Sequence, residues 1–168
     1  MMQKTDDLNT FDRTWSEFKD GFEVNGGNYW LGNEQIHQLT NHGGYKLRVD
    51  IESNDGSSGQ TVSYWAEYST FMVGFEATNY QLLIDGYSGD AGNPLAALNG
   101  LQFTSKDRDN DDYSTDNCAL YTNGGFWLDG ECNEYSCAPT AGRGSFDCYS
   151  LPDSNNALKT VQMWLQCK

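Results

Sequence analysis

All five cysteines of this 168-residue chain lie in its last third, at Cys118, Cys132, Cys137, Cys148 and Cys167. The segment that holds most of them, from about residue 87 to residue 156, is rich in Gly, Asn, Asp and Ser and lacks helical or strand periodicity. Because such a backbone has few ladder hydrogen bonds of its own, it needs cross-links to hold one shape. The pattern therefore predicts disulfides, and with them a secreted, extracellular protein.

The cysteine count also limits other interpretations. An odd number leaves one thiol free, bonded to another chain, or lacking a partner outside this sequence. No C-x-x-C pair occurs, and the two histidines, His37 and His42, are distant in sequence. A structural zinc site is therefore disfavoured.

The chain is strongly acidic, with 10 Lys plus Arg against 24 Asp plus Glu and a formal net charge of −14. Phosphate groups of nucleic acids and anionic lipids would repel such a surface. No apolar segment is long enough to cross a membrane, and residues 1–11 lack the apolar core of a signal peptide. We therefore expect no nucleic-acid partner and no membrane insertion.

The first half carries the regular secondary structure. Thr14 and Glu17 form a capping-box pattern that predicts a short helix ending at Gly21, and residues 33–40 predict a second helix. Alternating apolar and polar residues predict strands at 45–51, 61–67, 71–75, 80–85 and 160–166. Because no long helices separate these strands, the sheet is expected to be largely antiparallel in an α+β fold.

The strongest local motif is the acidic run at residues 107–112, Asp-Arg-Asp-Asn-Asp-Asp. Carboxylates at alternate positions are typical of loops that wrap around Ca²⁺. The run is not an EF-hand, because Asp112 stands where that motif requires Gly and Cys118 where it requires Glu. Two interpretations remain open, a calcium loop of another kind and a solvated acidic turn.

No nucleophile elbow, zinc-protease, P-loop or dinucleotide motif occurs, so the sequence predicts a protein that is not an enzyme. A calcium-dependent enzyme with a carboxyl pair is a weak alternative. Trp30, Trp65, Trp127 and Trp164 are candidate ligand platforms, although aromatic residues in a chain poor in Leu and Ile more often fill the core.

Ordered motifs from about residue 1 to residue 132 resemble the fibrinogen-like domains of fibrinogen chains, ficolins, tachylectins, tenascins and angiopoietins. The motifs that carry this resemblance are Phe11-Asp12-Arg13-Thr14-Trp15, Tyr29-Trp30-Leu31-Gly32-Asn33-Glu34, Tyr45-Lys46-Leu47-Arg48-Val49-Asp50, Ala66-Glu67-Tyr68, Gly86-Tyr87-Ser88-Gly89-Asp90-Ala91-Gly92, Phe103-Thr104-Ser105-Lys106-Asp107-Arg108-Asp109-Asn110-Asp111, Asn117-Cys118-Ala119 and Gly124-Gly125-Phe126-Trp127. The resemblance implies one fibrinogen-like domain over residues 1–168. Its parts would be a sheet and helix subregion to about residue 86, a loop-rich subregion over about 87–160, and a returning strand at 160–168.

The resemblance also implies specific site residues. A disulfide would join Cys118 to Cys132, and the Asp109 and Asp111 carboxylates would bind Ca²⁺ with the backbone carbonyls of Tyr113 and Thr115. Lectins of this family bind acetyl groups beside the calcium loop, where the peptide bond before the first cysteine is cis.

By position, the acetyl-binding residues here are Asn117, Cys118, Tyr121, Cys132 and Asn133. The backbone N–H groups of Cys132 and Asn133 would face the acetyl oxygen.

The sequence departs from the family pattern after Cys132. Asn133 replaces a frequent His, and Thr122 occupies the position of a pocket tyrosine that acetyl-binding members carry, with Tyr121 beside it. The extra cysteines Cys137 and Cys148 are expected to form a second small disulfide.

Two functions follow from this resemblance. The leading one is a secreted, calcium-binding recognition module for acetylated sugars or similar small polar groups, acting as part of a multimer. The alternative is a structural or protein-interaction module of an extracellular fibre or matrix, in which case its partners are extracellular proteins.

Overall fold

A computed structural model of the chain describes residues 1–5, 11–24, 26–54, 58–130, 132, 151–152 and 158–168. The described residues form three short α-helices, two 3-10 turns and nine strands. The helices are α1 (Trp15–Asp20), α2 (Asn33–Thr40) and α3 (Cys118–Thr122). The strands are β1 (Met2–Lys4), β2 (Phe22–Val24), β3 (Asn28–Trp30), β4 (Tyr45–Asn54), β5 (Thr61–Val73), β6 (Leu82–Gly89), β7 (Phe103–Thr104), β8 (Phe126–Trp127) and β9 (Leu158–Cys167).

Seven strands make one antiparallel sheet in the order β2-β3-β1-β9-β4-β5-β6, and β7 pairs with β8 in a small second sheet. The last strand, β9, lies between β1 and β4. The expected returning strand is therefore confirmed, and it occupies the middle of the sheet rather than an edge. The described fold is α+β, as the sequence predicts.

The two predicted helices are present at the predicted residues. The Thr14 side chain accepts from the Glu17 N–H and the Glu17 carboxylate accepts from the Thr14 N–H, while Gly21 ends α1. Gly21 has φ +89°, and a Cβ there would lie 2.5 Å from the Leu31 carbonyl oxygen. Glycine is therefore required both by the backbone conformation and by the close chain crossing.

Two sequence predictions about secondary structure are corrected. The expected strands at 61–67 and 71–75 are one strand, β5, whose buried side changes phase between Tyr68 and Phe71. Because the apolar residues stop alternating at this point, the sequence pattern predicts the end of one strand and the start of another. The third helix, α3, was not predicted, because its first turn depends on a side-chain cap from Asn117 that has no distinctive sequence pattern.

The core is an aromatic cluster between the sheet, α1 and the small second sheet. Phe18, Trp30, Phe103 and Trp127 are all buried, and the Phe18 ring lies 5.1 Å from Phe103 and 5.7 Å from Trp30 between centroids. Tilted and edge-to-face contacts of this kind add to the stabilisation that burial supplies. The cluster joins the first half of the chain to the loop-rich subregion.

Gly125 supports the close packing of this cluster, because a Cβ at that position would lie 2.5 Å from the Phe18 ring. We expect Gly125→Ala to lower the free energy of unfolding by about 2 kcal/mol through overpacking. The matched control is Gly44→Ala, where a Cβ would meet nothing within 4 Å. Denaturant unfolding of both variants measures the difference, and equal stability of the two would contradict this account of the core.

Candidate functional site

The acidic loop and the disulfide lie side by side in the loop-rich subregion. A disulfide joins Cys118 to Cys132, as the resemblance implies, with the two Cα atoms 5.1 Å apart. The bond closes a loop with a sequence separation of 14. In the chain-entropy model, a cross-link that closes a loop of this length stabilises the fold by roughly 3 kcal/mol. Cys118 is buried at the first residue of α3, so the bond fixes that helix to the turn at Cys132.

The Asp111 carboxylate connects the acidic loop to the disulfide. The Cys118 N–H donates to Asp111 Oδ2 at 2.9 Å, and the Tyr113 N–H donates to Asp111 Oδ1 at 3.0 Å. Burial raises the pKa of the Asp111 carboxyl above its usual value, and the neighbouring Asp109 acts in the same direction, while the two N–H donors oppose them. A partly desolvated carboxylate beside a second one is an arrangement that a bound cation would stabilise.

No Lys or Arg neutralises this pair in the described part of the chain. Arg108 lies between Asp107 and Asp109 in sequence, but its guanidinium turns away. It stacks 4.0 Å over the Trp15 ring and donates to the Asn79 side chain at 2.6 Å. Among the described residues, the hydrogen-bond donors to the Asp111 carboxylate are the N–H groups of Tyr113 and Cys118.

The residues before Asp109 anchor the loop to α1. The Trp15 N–H donates to Asp107 Oδ1 at 2.7 Å, and the Lys106 ammonium lies 3.2 Å from Asp12 Oδ1. These contacts join residues more than ninety positions apart along the chain. Sequence reasoning missed this role of Asp107, because nothing in either segment marks the other as its partner.

Glu76 completes this anchor. Its carboxylate accepts from the Lys19 ammonium at 2.6 Å and from the Trp15 indole N–H at 3.0 Å. The hydrogen bond from Lys19 is the largest cause that holds the Glu76 pKa below its usual value, and the bond from Trp15 adds to it. The anchor is therefore strongest above the ordinary pKa of a glutamate and weakens as the pH falls through the lowered value.

Of the predicted acetyl-binding residues, Tyr121 is exposed, whereas the polar groups of Asn117 and Cys132 bond within the protein. Tyr121 is 55% exposed on α3, next to the disulfide. Asn117 serves the protein backbone, because its Oδ1 accepts from the Ala119 N–H at 2.8 Å and its Nδ2 donates to the Ser105 carbonyl at 2.9 Å. The Cys132 N–H donates to the Asp129 carbonyl at 2.9 Å, so the expected donor to an acetyl oxygen is used within a turn.

The peptide bond between Asn117 and Cys118 is not cis, which corrects the sequence expectation. With this bond trans, the Cys118 N–H and the Asn117 side chain both form hydrogen bonds within the protein. A peptide bond that does not precede proline favours the trans form by about 3–4 kcal/mol.

Other predicted positions are exposed or lie outside the described residues. Tyr113 and Thr115, the predicted carbonyl ligands, are on the exposed part of the loop. Asn133, Cys137 and Cys148 lie outside the described residues, and Cys167 is an exposed free thiol on β9. Among the described residues no group of three His, Cys, Asp or Glu side chains is placed to hold a metal ion. A calcium site here would therefore depend on backbone carbonyls as well as Asp109 and Asp111.

No helix within the described ranges is long and apolar enough to cross a membrane.

Comparison with known proteins gives the family. Residues 1–150 match the model for the C-terminal globular domain of fibrinogen beta and gamma chains. The chain belongs to this fibrinogen-like family.

Its relatives include fibrinogen-like protein A of Apostichopus parvimensis, which is 35% identical over 98% of this chain and 58% of that protein. Human angiopoietin-related protein 2 is 43% identical over 76% of this chain and 24% of that protein. The chain therefore spans less than two thirds of the length of these relatives. The fibrinogen-like globe domain of human ANGPTL2 superposes with a TM-score of 0.83 at 35% identity, covering 99% of this chain and 78% of that one.

We expect Asn117→Ala to lower the free energy of unfolding by about 1–2 kcal/mol, because it removes the cap of α3 and one of the two hydrogen bonds that the Ser105 carbonyl accepts, the other coming from the Arg108 N–H. Asp116→Ala is the matched control, since Asp116 is exposed and neighbours Asn117. Thermal unfolding of the oxidised protein compares the two. An Asn117→Ala variant as stable as the control would contradict the role of this cap.

Proposed function

We propose that this chain is a secreted, calcium-binding recognition module that binds acetylated sugars or similar small polar groups beside the Cys118–Cys132 disulfide. The observation that carries the proposal is the Asp111 carboxylate, which accepts from the Cys118 N–H at 2.9 Å while lying next to Asp109. A cation bound by these carboxylates would fix the position of Cys118 and of α3. Calcium would thus shape the pocket without contacting the ligand.

The donor set suits Ca²⁺ better than Mg²⁺. Asp109 and Asp111 offer carboxylate oxygens, and the exposed loop that follows offers the carbonyls of Tyr113 and Thr115. Calcium accepts many oxygen ligands in irregular geometry, whereas magnesium requires a near-ideal octahedron. Binding of this kind neither makes nor breaks a covalent bond, so the proposal is of a binding module rather than an enzyme.

Secretion is supported by the disulfide, because such bonds persist in oxidising compartments. Membership in the fibrinogen-like family supports an extracellular role, and the matched relatives are longer proteins of which this chain resembles one part. We propose on that basis that the domain acts as part of a multimer.

The alternative is a structural or protein-interaction module of an extracellular assembly. It is favoured by the exposed apolar and aromatic side chains on the surface of the segment around Cys118, namely Tyr113 at 42% exposure, Leu120 at 60% and Tyr121 at 55%. It is also favoured by the internal hydrogen bonds of Asn117 and Cys132, which leave fewer groups for a small ligand. In this case the surface would be covered by an extracellular protein partner.

Calcium binding is tested with Asp109→Asn, which keeps the side-chain shape and removes one charge. We expect the calcium affinity to fall at least about a hundredfold, because a carboxylate ligand is lost. Titration calorimetry measures the affinity, and Asp112→Asn is the control because Asp112 is exposed and is not a predicted ligand. An Asp109→Asn variant that binds calcium as tightly as the wild type would refute this site.

Ligand binding is tested by retention on N-acetylated resin and on the same resin after deacetylation, each with calcium and with chelator. We expect retention on the acetylated resin with calcium alone, and its loss in Tyr121→Ala, because Tyr121 is the exposed aromatic ring beside the disulfide. Leu120→Ala is the matched control on the same helix. If the protein is retained under no condition, the acetyl-binding proposal fails and the protein-interaction role is favoured.

A further inference from the structure

A groove of about 470 Å³ lies at the β6 edge of the seven-stranded sheet. It is bounded by the C-terminal part of α2, by the turn that joins β5 to β6 and by residues 99–100. Two of its large apolar side chains are exposed, Phe75 at 55% and Leu83 at 47%. Apolar groups exposed beside a concave surface are typical of a protein–protein contact.

The groove is uncharged, although charged residues make up 20% of the chain. Among the described residues that line it there is no Asp, Glu, Lys or Arg. The outer face of the sheet, which carries Trp65 and Trp164, has a different character. The groove on that face is lined by Arg48, Asp50 and Glu52 among others. Because the formal net charge is −14, two copies of the chain repel each other least where uncharged surfaces meet.

The turn that carries Phe75 is fixed by hydrogen bonds. The Phe75 carbonyl accepts from the Thr78 N–H at 2.9 Å and from the Tyr80 N–H at 3.3 Å. Asn79 and Tyr80 have φ of +52° and +51°, a conformation that is uncommon for residues other than Gly. The Tyr80 hydroxyl donates to the Glu34 carboxylate at 3.0 Å, which ties the turn to α2. Because this backbone is already ordered, the turn loses little conformational entropy when Phe75 contacts a partner.

Neighbouring groups support the Phe75 ring without covering it. The His37 ring meets it edge to face, with ring centroids 6.4 Å apart, and His37 Nδ1 donates to the Val73 carbonyl at 2.8 Å. The next residue, Glu76, accepts from the Lys19 ammonium at 2.6 Å and does not line the groove. The carboxylate closest to Phe75 in sequence is thus paired within the same chain.

We propose that this groove is the contact surface of a homodimer in which Phe75 of each copy enters the groove of the other. A two-fold axis brings the same patch of both copies together, so the patch must complement itself. Phe75 and the groove meet this requirement, because a projecting group and a cavity lie side by side. The dimer is a contact of the multimer proposed above and rests on that part of the proposed function, but on neither calcium nor acetyl binding.

Charge favours a second copy as the occupant. A basic partner would be attracted to the acidic surfaces of the chain and would gain nothing from an uncharged groove. Two acidic copies, in contrast, associate where uncharged apolar surface is buried and few carboxylates face each other. Because the patch is small, we expect a weak dimer with a Kd of about 0.1 mM.

The first test is sedimentation of the chain in chelator, over concentrations from about 10 µM to about 1 mM. The chain carries Cys167→Ser, so that its exposed free thiol cannot link two copies. We expect a reversible equilibrium between monomer and dimer. The dimer should become at least about threefold tighter between about 0.02 M and about 0.5 M salt, because salt screens the repulsion between the copies.

The second test places a charge in the contact. Phe75→Asp and Leu83→Lys are each expected to weaken the dimer at least about thirtyfold, since a two-fold contact loses each buried side chain twice. These two variants change the net charge in opposite directions, so an effect that they share does not come from net charge. Leu120→Asp is the matched control, because Leu120 is 60% exposed on α3 and does not line the groove.

Phe75→Asp is expected to keep the fold. Phe75 is the N-cap of a 3-10 turn and has an extended backbone, a position that Asp favours. Thermal unfolding of each variant checks this before sedimentation.

The proposal is overturned if the chain stays monomeric at about 1 mM in high salt, or if Leu83→Lys dimerises as tightly as the Cys167→Ser chain. It is also overturned if the mass rises beyond that of a dimer, because an isologous contact closes after two copies. A dimer that persists in Phe75→Asp would overturn this contact while the proposed multimer stands. Because the test is made in chelator, a monomeric result leaves the calcium and acetyl proposals to their own experiments.

Discussion

The position of β9 in the sheet determines most of the architecture. This strand pairs with β1 on one side and with β4 over nearly its whole length on the other. Without it, the sheet would separate into a group from the first thirty residues and a group from residues 45–89. Because the pairing joins the two ends of the chain, the loop-rich subregion between β6 and β9 must begin and end on the same sheet. Its conformational freedom is limited before any cross-link forms.

Within that subregion, contacts between distant segments replace regular secondary structure. The disulfide fixes α3, Asp107 accepts from the first turn of α1, and Asp111 accepts from the Cys118 N–H. Each contact uses a charged group or a covalent bond, which is stronger than an average neutral hydrogen bond. The acidic run thus has a structural role through Asp107 and is proposed to have a binding role through Asp109 and Asp111. The sequence pattern alone does not separate these two roles.

The two faces of the sheet differ in burial and in polarity. The inner face packs against α2 and the aromatic cluster, where every tryptophan N–H has an acceptor. On the outer face, charged and amide side chains alternate with two tryptophans whose N–H groups have no acceptor in the described part of the protein. The acidic loop follows β6 in the chain and is anchored to α1 through Asp107.

The sequence by itself determined the elements whose cause is local. The capping box at Thr14, the helix at 33–40, the alternation at 45–51 and the returning strand near residue 160 each depend on neighbours within a few residues, so spacing is enough to predict them. The tertiary structure decided what depends on distant partners. The joining of two expected strands into β5, the α1 contact of Asp107, and the separation of Trp65 and Trp164 from the buried tryptophans all follow from strand register and packing. Those long-range contacts leave no periodic signal in a single sequence.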